Sequence, residues 1–452
     1  MRLVLILMAV ASFLVAGCNG HKSSKKEQST AINVGYIDNE TLLDTVQRHT
    51  FNYFWEGAEP ISGLARERIH MDHIYPNHDK DIITIGGSGF GLMAILVGVE
   101  RGFITHGQAL ERFEKAVDFL ERADRFHGAW PHWLLPSGKV APFSKKDNGG
   151  DLVETAFLIQ GLLTVKEYFK EGNERENQLA EKIQKLWEEV EWDWYTNGNN
   201  VLYWHWSPEY EWEMDFPVGG YNEALIMYVL AAASPAHAIA KEVYVQGWAR
   251  NGDITKDTVF YDLATKLDHY EHDKSPVGPL FWAHYSYMGL NPKGLTDSYT
   301  DYWKLNTNHA FIHYRHAVAN PNNFKGYGSK GWGLTSSYSM KGYSSHRPDN
   351  DLGVISPTAA LSSMPFTPNE SMIFLRHLYT AQDSLIGKYG PYDAFSVEQN
   401  WYLPRYLAID QGPIPVMIEN HRSGLFWKLF MKNKDVQLGL EKLGFTSKEI
   451  GL

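Results

Sequence analysis

Apolar residues recur at helical spacing along this chain in two distinct forms, and their alternation restricts the fold more than any other feature. In "THGQALERFEKAVDFLERADRF", Leu110, Phe113, Val117, Leu120 and Ala123 share one stripe with charges elsewhere, as a surface helix requires. "ENQLAEKIQKLWEEVEW" repeats the pattern through Leu179, Ile183, Leu186 and Val190. By contrast "LVETAFLIQGLLTV" and "EALIMYVLAAA" are apolar nearly all round and predict helices buried on every side. "GFGLMAILVGV" and "PTAALSSM" join them more weakly. Loop text rich in Gly or Asp leads into each buried helix: "TIGGSGFGL", "DNGGDLVET", "FPVGGYNEAL", "PDNDLGVISPTAAL" and "AIDQGPIPVM". The period is irregular, which excludes a tetratricopeptide-type array. Strand-like alternation is scarce. A buried helix followed by an amphipathic one, repeated about six times, describes an inner ring wrapped by an outer ring. The expectation is an all-α fold, an (α/α)6 toroid in a single domain, with its loops gathered around a cleft at one end.

The chain opens with "MRLVLILMAVASFLVAGCNG", one basic residue, a short apolar run and a small-residue stop, which is a signal peptide pattern rather than a membrane span. The V-A-G-C ending resembles a bacterial lipoprotein signal, with Cys18, the only cysteine, as the lipidated first residue. A single cysteine excludes disulfides and zinc sites built on thiolates. Residues 1–17 are therefore read as signal, 18–37 as lipidated cysteine and flexible tether, and 38–452 as the folded domain. The expected location is the bacterial cell envelope, periplasmic or outer-membrane surface, with membrane contact through the lipid alone.

A formal charge of −11 and the lack of any Lys/Arg block argue against a nucleic-acid partner. Aromatic residues make up 14% of the chain and cluster with Asp, Asn and His in "FHGAWPHWLLPSG", "VLYWHWSPEYEWEMDFP" and "PLFWAHYSYMG". Flat apolar rings beside hydrogen-bonding groups suit sugars, which have apolar faces and hydroxyl edges. "GGSGFG" has no preceding strand and "GYGSKGWG" lacks the P-loop ending, so neither marks a nucleotide site. "HMDHIYPNHD" and "DHYEHD" reproduce no metal-ligand spacing. No metal and no cofactor are expected.

In "KKDNGGDLVETAFLIQGLL", Asp151 and Glu154 read as a capping box. If the helix ran back to Asp147, the three acids would instead share one face within about 60°. Glu223 in "GGYNEALIM" falls one residue into another buried helix, with Asn222 as its cap. Glycoside hydrolysis needs two carboxyl groups, one protonated to meet the leaving oxygen and one to activate water or attack. A helix N-terminus keeps Asp151 charged.

"RERIHMDHIYPNHDKDIITIGGSGFGLMAI", "DLVETAFLIQGLL", "GGYNEALIMY", "HRPDNDLGVISPTAALSSMPF" and "IDQGPIPVMIENHRSGLFW" together resemble the glycoamylase-like domain of glycoside hydrolase family 144, the bacterial β-1,2-glucan hydrolases. The resemblance runs from about Asp38 to the C-terminus. It implies an (α/α)6 barrel and inverting hydrolysis of β-1,2-glucan or its oligosaccharides, endo in some members and sophorose-releasing in others. It also implies that Asp147, Asp151 and Glu154 match the family's acidic run and that Glu223 matches its essential glutamate. Glu223, flanked by apolar helix, is the expected general acid. Asp151 or Asp147 is the expected base, with Glu154 orienting and Asp410, at the mouth of the last buried helix, in reserve. Trp130, His132, Trp133, Tyr221, His346, Arg347 and Asp349 are the expected sugar contacts.

Two other readings stay open. A polysaccharide lyase on the same toroid would use Tyr343, His346 and Arg347 of "YSSHRPDN", although four carboxylates would repel an anionic glycan. A non-catalytic glycan-binding surface lipoprotein would need the aromatic platforms but no paired acids.

Overall fold

Five helical segments are buried over most or all of their length, and the rest of the chain is arranged around them. They are α2 over most of Ile85–Glu100, α4 over most of Leu152–Phe169, α6 (Leu225–Ala233), the short α9 (Pro357–Leu361) and α12 over most of Pro413–Arg422. The computed structural model describes residues 37–269, 277–381, 383–448 and 451, and Asp38–Leu452 forms one compact unit. The signal stretch, Cys18 and the tether up to residue 36 lie outside the described residues. Among the described residues, no helix is long and apolar enough to cross a membrane.

The amphipathic helices cover the buried ones. In chain order they include α1 (Asn39–Trp55), α3 (His106–Leu120) and α5 (Glu174–Glu188). α1 packs on α2, α3 on α2 and α5, and α5 on α4, while α2 and α4 make the most extensive helix pair. After a single turn, α7 (Lys241–Val243), come α8 (Tyr302–Ala319), α10 (Pro368–Ala381), α11 (Ala408–Gln411) and the buried α12. α13 (Leu425–Phe430) and α14 (Lys434–Leu443) close the chain, α13 against α4 and α14 against α6.

The starts of α3 and α5 are capping boxes. Thr105 and Gln108 satisfy each other's backbone N–H groups in α3, and Asn173 and Glu176 do so in α5. α2 begins earlier than its sequence suggests. The glycine-rich text "IGGSGFG" is not a loop but its first two turns. A Cβ on Gly89 would run into the backbone of Phe157, and one on Gly161 into the backbone of Gly89. Glycine there lets α2 and α4 approach backbone to backbone, which outweighs its ~1 kcal/mol helix penalty.

One buried segment is not helical. From Leu280 to Leu290 a 3-10 turn and bends run through the interior, with Trp282, Tyr287 and Met288 fully buried. Its backbone polar groups are satisfied partly by turns within the segment and partly by side chains of the surrounding helices, as burial demands. Gln160 of α4 accepts from the Gly289 N–H at 2.9 Å and donates to the Tyr285 carbonyl at 3.0 Å. Asn420 of α12 donates to the Met288 carbonyl at 2.8 Å.

The described strands are two to six residues long and pair in twos and threes within the loops. Two sets matter for the site. β2 (Ile83–Thr84), β3 (Trp133–Leu134) and β4 (Val140–Ala141) form one sheet. β5 (Gly150–Asp151) pairs antiparallel with β6 (His205–Trp206), opposing Asp151 to His205.

Candidate active site

The loops before α2, α4 and α6 and the segments around Phe281–Tyr285 and Ser336–Tyr343 enclose a cavity of about 620 Å³. Four acidic side chains line it, Glu67, Asp147, Glu154 and Glu223. Its walls include Trp133, Phe143, Trp204, Phe216 and Tyr285. Trp204 and Phe216 stack nearly parallel, 4° apart with centroids at 5.3 Å, and form a flat apolar plate. Phe143 lies against the His132 ring at 4.2 Å. Volume and lining suit a few sugar rings.

α4 starts at Leu152, and Asp151 is its N-cap, so the three acids do not share a helical face. Asp151 Oδ1 accepts the Glu154 N–H at 2.9 Å and Oδ2 accepts His132 Nδ1–H at 2.8 Å. Both oxygens are thus used within the protein, and Asp151 is fully buried behind the cavity wall. His205 and His132 hold its carboxyl below the usual range against the opposing effect of burial. Asp147 sits in the turn where its carbonyl accepts the Phe143 N–H at 2.9 Å. Its side chain faces the cavity, with Oδ1 3.4 Å from His205 Nδ1 and Oδ2 3.9 Å from His132 Nδ1.

Glu154 leaves the reciprocal half of its capping box unmade. Its Oε2 instead accepts the N–H of Gly86 at 2.8 Å, one of the unpaired donors at the start of α2. Burial lifts its pKa to about 7, against the His132 cation and the Gly86 N–H, which favour the charged form. Burial would depress His132, but Glu154, Asp151 and Asp147 together raise it to about 10. The imidazole is therefore a fixed cation at neutral pH, wedged among three acids.

Glu223 stands in the turn two residues before α6, not within the helix as its sequence suggests. Asn222 Oδ1 accepts the Ala224 N–H at 2.9 Å and shapes that turn, while Ser286 Oγ donates to the Glu223 carbonyl and accepts the Ile226 N–H. Glu223, Glu154 and Tyr285 line the cavity together. Burial first, then Asp410, Tyr343, Glu223 and Glu154, push that phenol well above its ordinary range.

Asp410 lies in the first turn of α11, just ahead of α12, but does not line the cavity, although its neighbours Leu407 and Ile409 do. Burial, followed by the Asp393 carboxyl, raises it far above a normal aspartate, and burial raises Asp393 to about 6. Two buried carboxyls in contact share a proton.

Of the expected sugar contacts, His132 and Trp133 line the cavity. Trp130 is packed inside, donating to the Leu120 carbonyl at 3.2 Å beneath the Arg125 guanidinium. Tyr221 is equally buried and donates to Asn306 at 2.7 Å. His346 is buried away from the cavity lining, and Arg347 pairs with Asp349 at 3.0 Å in the turn beyond. Sequence reasoning did not single out Glu67, Arg68, Phe143, Trp204, His205 or Phe216. The dense aromatic text of "VLYWHWSPEYEWEMDFP" was the available signal for three of them.

Residues 215–434 match the Glycoamylase family, described as "Putative glucoamylase". The chain is 43% identical over 439 residues to the exo β-1,2-glucooligosaccharide sophorohydrolase (non-reducing end) of Parabacteroides distasonis. That match covers 93% of this chain and 60% of the relative, so the chain spans under two thirds of that protein's length. Endo-β-1,2-glucanase from Chitinophaga pinensis, solved with sophorotriose and glucose, is 59% identical with a TM-score of 0.90, over 91% of this chain and 99% of that one. A β-1,2-glucanase structure from Parabacteroides distasonis is 43% identical with a TM-score of 0.85, over 90% of this chain and 60% of that one.

Proposed function

This chain belongs to the glycoamylase-like family, glycoside hydrolase family 144, and from that premise we propose that it hydrolyses β-1,2-linked glucan or its oligosaccharides. The observation that carries the reading is the cavity itself, in which Glu223 and the Asp147–Glu154 group meet across a space walled by aromatic plates. A glycan-binding lipoprotein has no use for that many carboxyls in one hollow, and an anionic lyase substrate would be repelled by them.

In the proposed inverting reaction Glu223 protonates the glycosidic oxygen as it leaves. Asp147 takes a proton from the water that attacks the anomeric carbon from the opposite face. Asp151 serves as a positioning residue, holding His132 against Asp147 and Glu154. Glu154, which keeps its proton up to about pH 7, donates a hydrogen bond to a sugar hydroxyl. Identity of 59% to an endo-acting enzyme, against 43% to an exo-acting one, favours cuts within the chain. The finer architecture we read as an (α/α)6 double ring in which α2, α4, α6, α9 and α12 supply inner helices and Leu280–Leu290 fills the sixth place. Lipid anchoring through Cys18 to the cell envelope belongs to the same proposal.

Chromatography of products from linear β-1,2-glucan, beside α-1,4- and β-1,3-glucan controls, tests the reading. Oligosaccharides of mixed length from the β-1,2 substrate alone are expected, with Glu223→Gln at least about a hundredfold slower while still binding glucan. Cleavage of only the α-1,4 control would overturn the substrate assignment. An undiminished Glu223→Gln would overturn the mechanism.

A further inference from the structure

We propose that His132, His205, Asp147 and Asp151 form a binding site for one divalent transition-metal ion, with zinc the best match, and that its occupancy blocks hydrolysis. The blocking half rests on Asp147 being the base, whereas the binding half stands on geometry alone. The β5–β6 pair sets His205 opposite Asp151, and His132, beside β3, reaches the same point from the next loop. From His132 Nδ1 to Asp151 Oδ2 is 2.8 Å and to Asp147 Oδ2 3.9 Å. From His205 Nδ1 to Asp147 Oδ1 is 3.4 Å and to Asp151 Oδ2 3.6 Å. Tetrahedral zinc, with bonds of about 2.0–2.2 Å, holds its ligand atoms about 3.3–3.5 Å apart. His132, Asp147 and Asp151 each bring one ligand atom within 4.8 Å of the others, while His205 Nδ1 faces the second Asp147 oxygen, so closure on an ion needs the Asp147 carboxylate to turn and shifts of about half an ångström.

An independent observation points the same way. His205 is 9% exposed, and its Nδ1 makes no hydrogen bond among the described residues despite two carboxylates within 3.6 Å. A ring nitrogen aimed between two acids without bonding either is oriented as a ligand would be. Zinc would take the place of the proton that His132 Nδ1 gives to Asp151, releasing it to solvent, and two imidazoles with two carboxylates favour zinc over magnesium or calcium, which take oxygen donors. The helix cap at Glu154 N–H fixes the Asp151 carboxylate from behind, as supporting bonds do in metal sites. Asp147 opens on the cavity and gives an ion its way in.

Calorimetric titration of the chelator-treated full chain with zinc chloride is expected to show one site per chain. His205→Phe, which keeps the stacked ring, should weaken binding by at least about tenfold. His237→Ala removes an exposed imidazole paired with Asp193 and should leave binding unchanged. If His205→Phe does not fold, Asp147→Asn should show the same loss. Zinc should also inhibit glucan hydrolysis, reversibly with chelator. No stoichiometric binding, or binding equal in both site variants and wild type, overturns the site. Binding without inhibition overturns the blocking half. A chain that binds zinc but cleaves no glucan keeps the site and sinks the hydrolytic reading.

Discussion

Asp151 and Asp147 lie four positions apart and carry the same functional group, yet the fold uses them differently. Asp151 is consumed by a helix start and an imidazole before any substrate arrives. Asp147, in a turn, keeps its carboxylate towards the cavity. In the proposed role of donor to a sugar hydroxyl, Glu154 is expected to set the site's pH dependence. With its pKa near 7 it holds a proton below that pH and loses it above, so hydrolysis should decline as pH rises through about 7. Glu154→Gln, whose amide donates at every pH, should retain much of the wild-type rate and lose this alkaline decline. A pH profile of kcat/KM for both proteins checks it, and an unchanged alkaline limb in the variant would refute the assignment. Legibility at this scale was partial. The residue types and their order marked Asp147, Glu154, Glu223, His132 and Trp133 as candidates. Trp130, Tyr221 and His346 are chemically as suitable for sugar, but the fold turned them inward.

Helix elements followed their apolar patterns, with errors at their ends: α3 stops at Leu120 and α5 at Glu188, short of the Ala123 and Val190 read onto their stripes, and two starts were misplaced. Glycines read as loop in "IGGSGFG" because glycine is a poor helix former, but close packing against α4 outweighs that propensity. The segment Leu280–Leu290 was legible as aromatic text in "PLFWAHYSYMG" but not as a buried strip, because its conformation depends on partners far away in the chain. Gln160 supplies two of them. Gln160→Ala should leave a buried N–H and a buried carbonyl unsatisfied, each costing about 1–3 kcal/mol. Urea unfolding should show a loss of about 2–5 kcal/mol. A loss within 0.5 kcal/mol would mean water replaces the side chain.

Acid stability is a property of the whole molecule. Burial keeps His269, His284, His309, His313 and His346 neutral, with His284 near 3 and His309 and His346 near 4. Their folded pKa values lie below the unfolded one, so the stability they confer is present above about 6.5 and lost as pH falls. Glu154, Asp393 and Asp410 are raised instead and take up protons in the folded state first, which offsets three of the five. Below about pH 4.5 the unfolded carboxyls protonate too and the offset ends. His132, raised to about 10, contributes fully throughout this range and adds no slope. With two protons uncompensated, stability should therefore fall by about 3 kcal/mol per pH unit from pH 6.5 to about 4.5 and more steeply just below, at about 1.4 kcal/mol per pH unit for each uncompensated proton. Denaturant midpoints across that range test it, and a flat profile down to pH 4 would contradict the burial of these imidazoles.

Apolar periodicity alone determined that this chain folds as covered helices around buried ones, because spacing along a helix dictates which side chains share a face. The order of acidic and aromatic residues likewise determined which chemistry was within reach. Only the tertiary structure decided which acids confront one another, where α2 begins and how a non-helical strip is held inside. Those outcomes depend on burial and on partners up to hundreds of residues apart, and no local pattern encodes such distances.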